Sequence, residues 1–89
     1  MGYGITVKSI DSAGGQQIEG SGDPWTVEGQ PIVRLGDDVQ PHGPGTHGGP
    51  VMAQGSSWMT IDGVPVCRQG HLANCGHPTT GRGWFTLPD

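Results

Sequence analysis

Nine consecutive residues return after 34 positions: Gly29-Gln30-Pro31-Ile32-Val33-Arg34-Leu35-Gly36-Asp37 and Gly63-Val64-Pro65-Val66-Cys67-Arg68-Gln69-Gly70-His71 keep Gly, Pro, Arg and Gly in register. A repeat constrains architecture before any single element is placed, because each copy must be one structural unit that stacks on its neighbours. An acidic residue stands before the first Gly of each copy, in Glu28-Gly29 and Asp62-Gly63. That pairing suits a tight hairpin turn, in which Gly takes positive φ and the carboxylate bonds nearby backbone. A shorter element occurs three times. Trp25-Thr26-Val27 resembles Trp58-Met59-Thr60-Ile61 with one residue inserted, and Trp84-Phe85-Thr86-Leu87 repeats the latter's Trp-x-Thr-aliphatic order. Three copies suggest pseudo-symmetry within one chain.

The residues flanking these turns are Val, Ile, Thr and Trp, which favour strands. No window places apolar residues at helical spacing for long, and Gly or Pro interrupts almost every stretch. The chain is therefore expected to be all-β, a single domain over residues 1–89. Within it, Ile5-Thr6-Val7 reads as an edge strand, Ser12 to Gln17 has only turn and linker character, and residues 20–89 carry the repeats. At least two of Trp25, Trp58 and Trp84 are expected to fill the small core, since aromatic rings carry much buried area.

Eighteen Gly and 8 Pro in 89 residues, with Val, Ile, Leu and Phe only about 18%, leave little for such a core. A short chain of this kind commonly draws stability from a metal, a disulfide or a partner. Four His and two Cys make a metal the first candidate, with a Cys67–Cys75 disulfide as its rival. The N-terminus lacks the pattern of a signal peptide, which weighs against an oxidising compartment. Apolar runs are too short to cross a bilayer as a helix, so a soluble protein is expected. Four Lys and Arg against eight Asp and Glu provide no basic face for nucleic acid.

These residues resemble the PAAR-repeat family. Its Pro-Ala-Ala-Arg motif corresponds here to Pro31-Ile32-Val33-Arg34 and Pro65-Val66-Cys67-Arg68, framed by Gly-x-Pro-x-x-Arg-x-Gly-Asp, a His-Gly segment, Gly55-Ser56-Ser57 before a strand, and Cys75-Gly76 after the second motif. The likeness covers about residues 20 to 87. It implies a small cone of short strands and hairpins with pseudo-threefold symmetry and zinc near its tip. It also implies a structural role: the cone's base would cap a trimeric β-helical spike, VgrG-like or of a contractile phage tail, and sharpen it to pierce a target envelope. Such a protein would be made in the bacterial cytoplasm, assembled at the tip of a type VI secretion apparatus or phage tail, and delivered outside the cell. Contact with the target membrane would be transient. An alternative is an adaptor that recruits a separate toxic effector to the spike.

Six residues between positions 42 and 77 offer N or S donors: His42, His47, Cys67, His71, Cys75 and His77. Such borderline-soft donors at tetrahedral geometry suit Zn²⁺. Cys67 aligns with Val33 and reads as a small buried hydrophobe. His42, His47 and Cys75 fall in the loops where the resemblance places ligands. The fourth is His71 or His77; the three-residue gap from His71 to Cys75 is the easier one to close, and His71 is preferred. A hydrolytic zinc would keep three protein ligands, an open water and a nearby carboxylate. Here a fourth ligand is at hand, Asp37 and Asp38 read as turn residues, and no nucleophile-elbow or Cys-protease signature is present. A small zinc-dependent hydrolase is thus the lesser alternative, and no catalytic residue is assigned.

Overall fold

The computed structural model describes residues 2–22 and 25–87, so the ends of the expected 1–89 domain lie outside the described residues. It is built from hairpins so short that most strands hold two residues. In chain order these are β1 (Tyr3–Ile5), β2 (Ser12–Ala13), β3 (Gly15–Gln16), β4 (Thr26–Val27), β5 (Gln30–Pro31), a 3₁₀ turn (Gly45–Gly48), β6 (Thr60–Ile61), β7 (Val64–Pro65) and β8 (Arg82–Leu87). The pairs are β1–β8, β2–β3, β4–β5 and β6–β7, all antiparallel. Glu28-Gly29 and Asp62-Gly63 form the expected tight turns, with φ of 54° and 81° in the first and 54° and 79° in the second. The principal extents are 33 × 25 × 23 Å.

Three inner segments replace a continuous sheet. The amide of Thr6 donates to the Cys67 carbonyl at 3.0 Å, that of Cys67 to Val33 at 2.9 Å, and that of Val33 to Thr6 at 3.0 Å, closing a ring. A second ring repeats the pattern one step out: Lys8 donates to Pro31, Leu35 to Pro65, and Gln69 to Gly4. Thr6, Val33 and Cys67 are therefore equivalent, and the two recognised repeats are joined by a third at Gly4 to Asp11. Pro31 and Pro65 serve the rings through their carbonyls, which proline retains, while the missing N–H is not called upon. Their counterpart is Gly4, where a Cβ would collide with the Arg82 backbone. The third hairpin is made by the two ends of the chain. Tyr3 pairs with Leu87 and Gly4 with Thr86, just as Val27 pairs with Gln30 and Thr26 with Pro31.

Two apolar layers follow from this symmetry. Ile5, Ile32 and Val66 meet Val7, Val27, Ile61 and Leu87 on one side of the ring. Val33, Cys67, Ala13, Val39, Met52 and Ala73 form the other. Threefold packing lets a few small side chains close a core, which is how a chain poor in Leu and Phe folds. The tryptophans do not contribute to it. Trp25, Trp58 and Trp84 are 59%, 63% and 66% exposed, correcting the expectation that at least two are buried. Thr precedes the buried Val27, Ile61 and Leu87; strand alternation puts Trp58 and Trp84, each three residues before its buried aliphatic, on the outer face, while Trp25 lies just before β4 begins. The segment read as linker differs: Ser12 to Gln17 forms the β2–β3 hairpin, while Ile5, Thr6 and Val7 are wholly buried, Ile5 ending β1 and Thr6 joining the first ring.

Candidate metal centre

Three loops meet beyond the second apolar layer. The first is the Gly14 turn of β2–β3. The second runs from Val39 to Pro50 and is pinned by bridges from Gln17 to Val39 and from Asp38 to Val51. The third, Ala73 to His77, closes when Ala73 N donates to the His77 carbonyl at 3.0 Å, with Gly76 at a φ of 91°. Within the second loop, His42 N donates to the His47 carbonyl at 2.8 Å, so the 3₁₀ turn folds His47 back onto His42. Gln40 N bonds Gln16 O at 2.8 Å and ties this loop to β3.

His42, His47, Cys75 and His77 converge there, with one donor atom from each lying within 4.8 Å of all the others. His47 Nδ1 stands 3.0 Å from His42 Nε2, and Cys75 Sγ stands 3.6 Å from the same nitrogen. Two nitrogens bound to a tetrahedral zinc at the usual bond length stand about 3.3 Å apart, so these separations fit one ion. His42 Nδ1 lies 3.0 Å from the Gln40 carbonyl. A proton on Nδ1 bonded to that carbonyl directs the Nε2 lone pair into the cluster, as an outer hydrogen bond does for a metal-ligating His. His77 Nδ1 is buried without a hydrogen-bond partner. A buried acceptor left in this way costs free energy, and a cation at the centre of the group would satisfy it. The imidazoles pack at centroid separations of 4.8 to 5.0 Å. Gly14 makes the approach possible, since a Cβ there would overlap His77 Nδ1 and crowd His42 Nε2.

His71 stands apart from this group, which corrects the preference for it over His77. Its Nδ1 accepts the Arg68 amide at 3.0 Å while its own amide donates to the Arg68 carbonyl. Asp37 does the same for Arg34, and Asp11 for Val7. His71 thus occupies the turn-capping place of the repeat. The signal was present in the register that aligns Gly36-Asp37 with Gly70-His71, whereas gap length alone favoured the residue that lies outside the group. Cys67 is wholly buried, and burial, aided by the Asp37 charge, pushes its thiol up to about 12. Both cysteines are free. Asp37, the acid nearest in sequence, is committed elsewhere: its carboxylate accepts from Ser21 N, Ser21 Oγ and Arg34 N.

A model of the PAAR motif matches residues 9–80, most of the chain, and the chain belongs to that family of spike-tip proteins of secretion systems and phage tails. The match begins eleven residues earlier than the likeness expected from residue 20, within the last residues of the repeat that the rings reveal. Comparison with curated proteins gives no match. Among the described residues, no helix is long and apolar enough to cross a membrane.

Proposed function

We propose that this protein caps a trimeric β-helical spike, VgrG-like or of a phage tail, with its Trp-bearing hairpins against the spike and a zinc-stapled tip at the other end. The observation that supports this most is the polarity of the threefold ring. The hairpins carrying Trp25, Trp58 and Trp84 pack on one apolar layer, while the His and Cys donors join the other through Cys75. One chain meets a trimer well only if it presents three similar faces, and β4–β5, β6–β7 and β1–β8 provide them. Each is a two-stranded unit whose inner strand is held by the second ring, leaving the outer strand, β4, β6 or β8, to continue a partner's strands. The exposed indoles add amphipathic contact area of the kind that dominates interfaces.

His42, His47, Cys75 and His77 are the proposed zinc ligands. Bound zinc would supply crosslinking, since the loops have little apolar packing of their own and metal binding then becomes folding free energy. A rigid tip delivered by sheath contraction would carry force to a small area of the target envelope. The test is co-purification with the cognate spike trimer. One copy per trimer is expected, with binding abolished when Trp25, Trp58 and Trp84 are all changed to Glu. Retained binding by that variant, with its fold and metal intact, would sink the docking assignment.

A further inference from the structure

The pseudo-symmetry provides an internal comparison for each arginine. Around Arg34, the Nε donates to Ser21 Oγ at 2.8 Å and Ser21 Oγ donates to Asp37 Oδ1 at 2.6 Å. In the repeat formed by the chain ends, Asp11 accepts from Thr80 Oγ1 at 2.8 Å and from Arg82 Nη2 at 2.9 Å. Each of these two places joins a guanidinium, a hydroxyl and a capping carboxylate. The second PAAR copy keeps the guanidinium but loses the carboxylate, because His71 stands where Asp37 does. Gly55 precedes Ser56 as Ser21 precedes Gly22, and the Ser56 and Gly22 amides donate to the equivalent carbonyls of Val66 and Ile32, so the hydroxyl is lost as well.

What remains is a pocket of about 440 Å³ lined by Gln54, Gly55, Arg68, Gly70 and His71. In the Arg68 side chain that lines it, Nε is buried without an acceptor. The guanidinium is held in place: its Cζ lies 3.9 Å over the Tyr3 ring, and Nη1 donates to Gln69 O at 2.7 Å. Gln54 Oε1 accepts the Leu72 amide at 2.8 Å, which leaves its NH₂ as a further donor. We infer that this pocket binds a carboxylate supplied from outside the chain, seated beside His71, which already caps the Arg68 amide, and against the Arg68 guanidinium. A planar monoanion matches the fork of a single guanidinium better than a dianion, whose second charge would find no cation. The carboxylate belongs either to a free small acid or to an acidic residue or chain terminus of a protein docked on the flank.

The test uses the full-length, zinc-loaded, ¹⁵N-labelled protein and the Nε–Hε resonances of its three arginines, that of Arg68 assigned from its loss in Arg68→Lys. Acetate is titrated against chloride at constant ionic strength, followed by a short peptide bearing one Glu and by its Gln counterpart. A saturable shift of the Arg68 resonance alone is expected. Saturation by acetate and the Glu peptide alike supports a general carboxylate site, and saturation by only one of them identifies the source. His71→Asp, which restores the cap used in the other repeats and should fold, is expected to weaken the affinity at least tenfold. A shift no larger than with chloride, or one unchanged in His71→Asp, would overturn the proposal.

Discussion

Cys67 and Val33 share a layer of the molecule, joined by a 2.9 Å hydrogen bond from the Cys67 amide to the Val33 carbonyl and both wholly buried. Their equivalence has an energetic consequence, because one side chain can ionise and the other cannot. The buried Cys67 thiol is pushed from 9.0 up to about 12. The folded protein then keeps this proton to higher pH than the unfolded chain. The associated stability is complete below about pH 9 and is lost as pH rises from about 9 towards 12, at about 1.4 kcal/mol per unit. Cys67→Val, which copies the Val33 position, is expected to flatten that decline relative to wild type. Urea midpoints at pH 8, 9.5 and 10.5 would measure it, and parallel declines would show that Cys67 is not responsible.

Substituting the histidines separates ligand from cap. His77→Ala removes one of four converging donors and should lower bound zinc from one per chain to well below that, with a collapse in melting temperature like that produced by a strong chelator. His71→Ala should keep zinc at one per chain but cost about 1 kcal/mol, since the part-buried Arg68 amide loses its acceptor. Plasma mass spectrometry with thermal melts decides this. Full zinc in His77→Ala together with loss in His71→Ala would reverse the assignment.

Much of this arrangement is legible in the sequence, and the parts that are not have specific causes. The repeat at Gly29 and Gly63 announced its hairpins because Gly and Pro have backbone roles that few residues can replace. The third repeat, Gly4 to Asp11, is masked in the sequence because Gly4 stands for Pro, Val7 for Arg, and Ile10 is an extra residue before the capping Asp11. Its partner strand, moreover, comes from the far end of the chain. The exposure of the tryptophans was hidden for another reason. Thr-Val and Thr-Ile steps fix which face is buried, but a two-residue strand gives too little alternation to assign the residue before it. The donor set was visible as a cluster of residue types, while the choice among its members depended on the threefold packing.

Gly14 and Gly36 both have positive φ, 81° and 90°, yet their replacement by Ala should differ in kind. At Gly36 a Cβ meets nothing within 4 Å, so the penalty is backbone strain of about 1–2 kcal/mol. At Gly14 the same strain is joined by overlap with His77 and His42. Gly14→Ala is expected to lose zinc affinity at least tenfold, whereas Gly36→Ala keeps it. Competition with a colorimetric chelator checks both, and equal affinities would mean that the β2–β3 turn does not confine the metal centre.

Asp11 shows how much of the fold hangs on one carboxylate. It is wholly buried, accepts from the Val7 amide at 2.9 Å and from Thr80 Oγ1, and faces Arg82 Nη2 at 2.9 Å. Arg82 reaches on to Glu28 at 3.7 Å, so the group joins the first inner segment to β8 and to the β4–β5 turn. Removing the carboxylate leaves the Val7 amide and the Thr80 hydroxyl without their acceptor, at about 1–3 kcal/mol each, while Arg82, 27% exposed, keeps Glu28. Asp11→Ala is expected to lose that much, a large fraction of the stability of a domain this small. Asp11→Asn should recover part of it, because the amide oxygen still accepts from Val7 or Thr80. Chemical denaturation of zinc-loaded protein gives the comparison, and a loss under 1 kcal/mol in Asp11→Ala would show that the third repeat is held by its apolar residues instead.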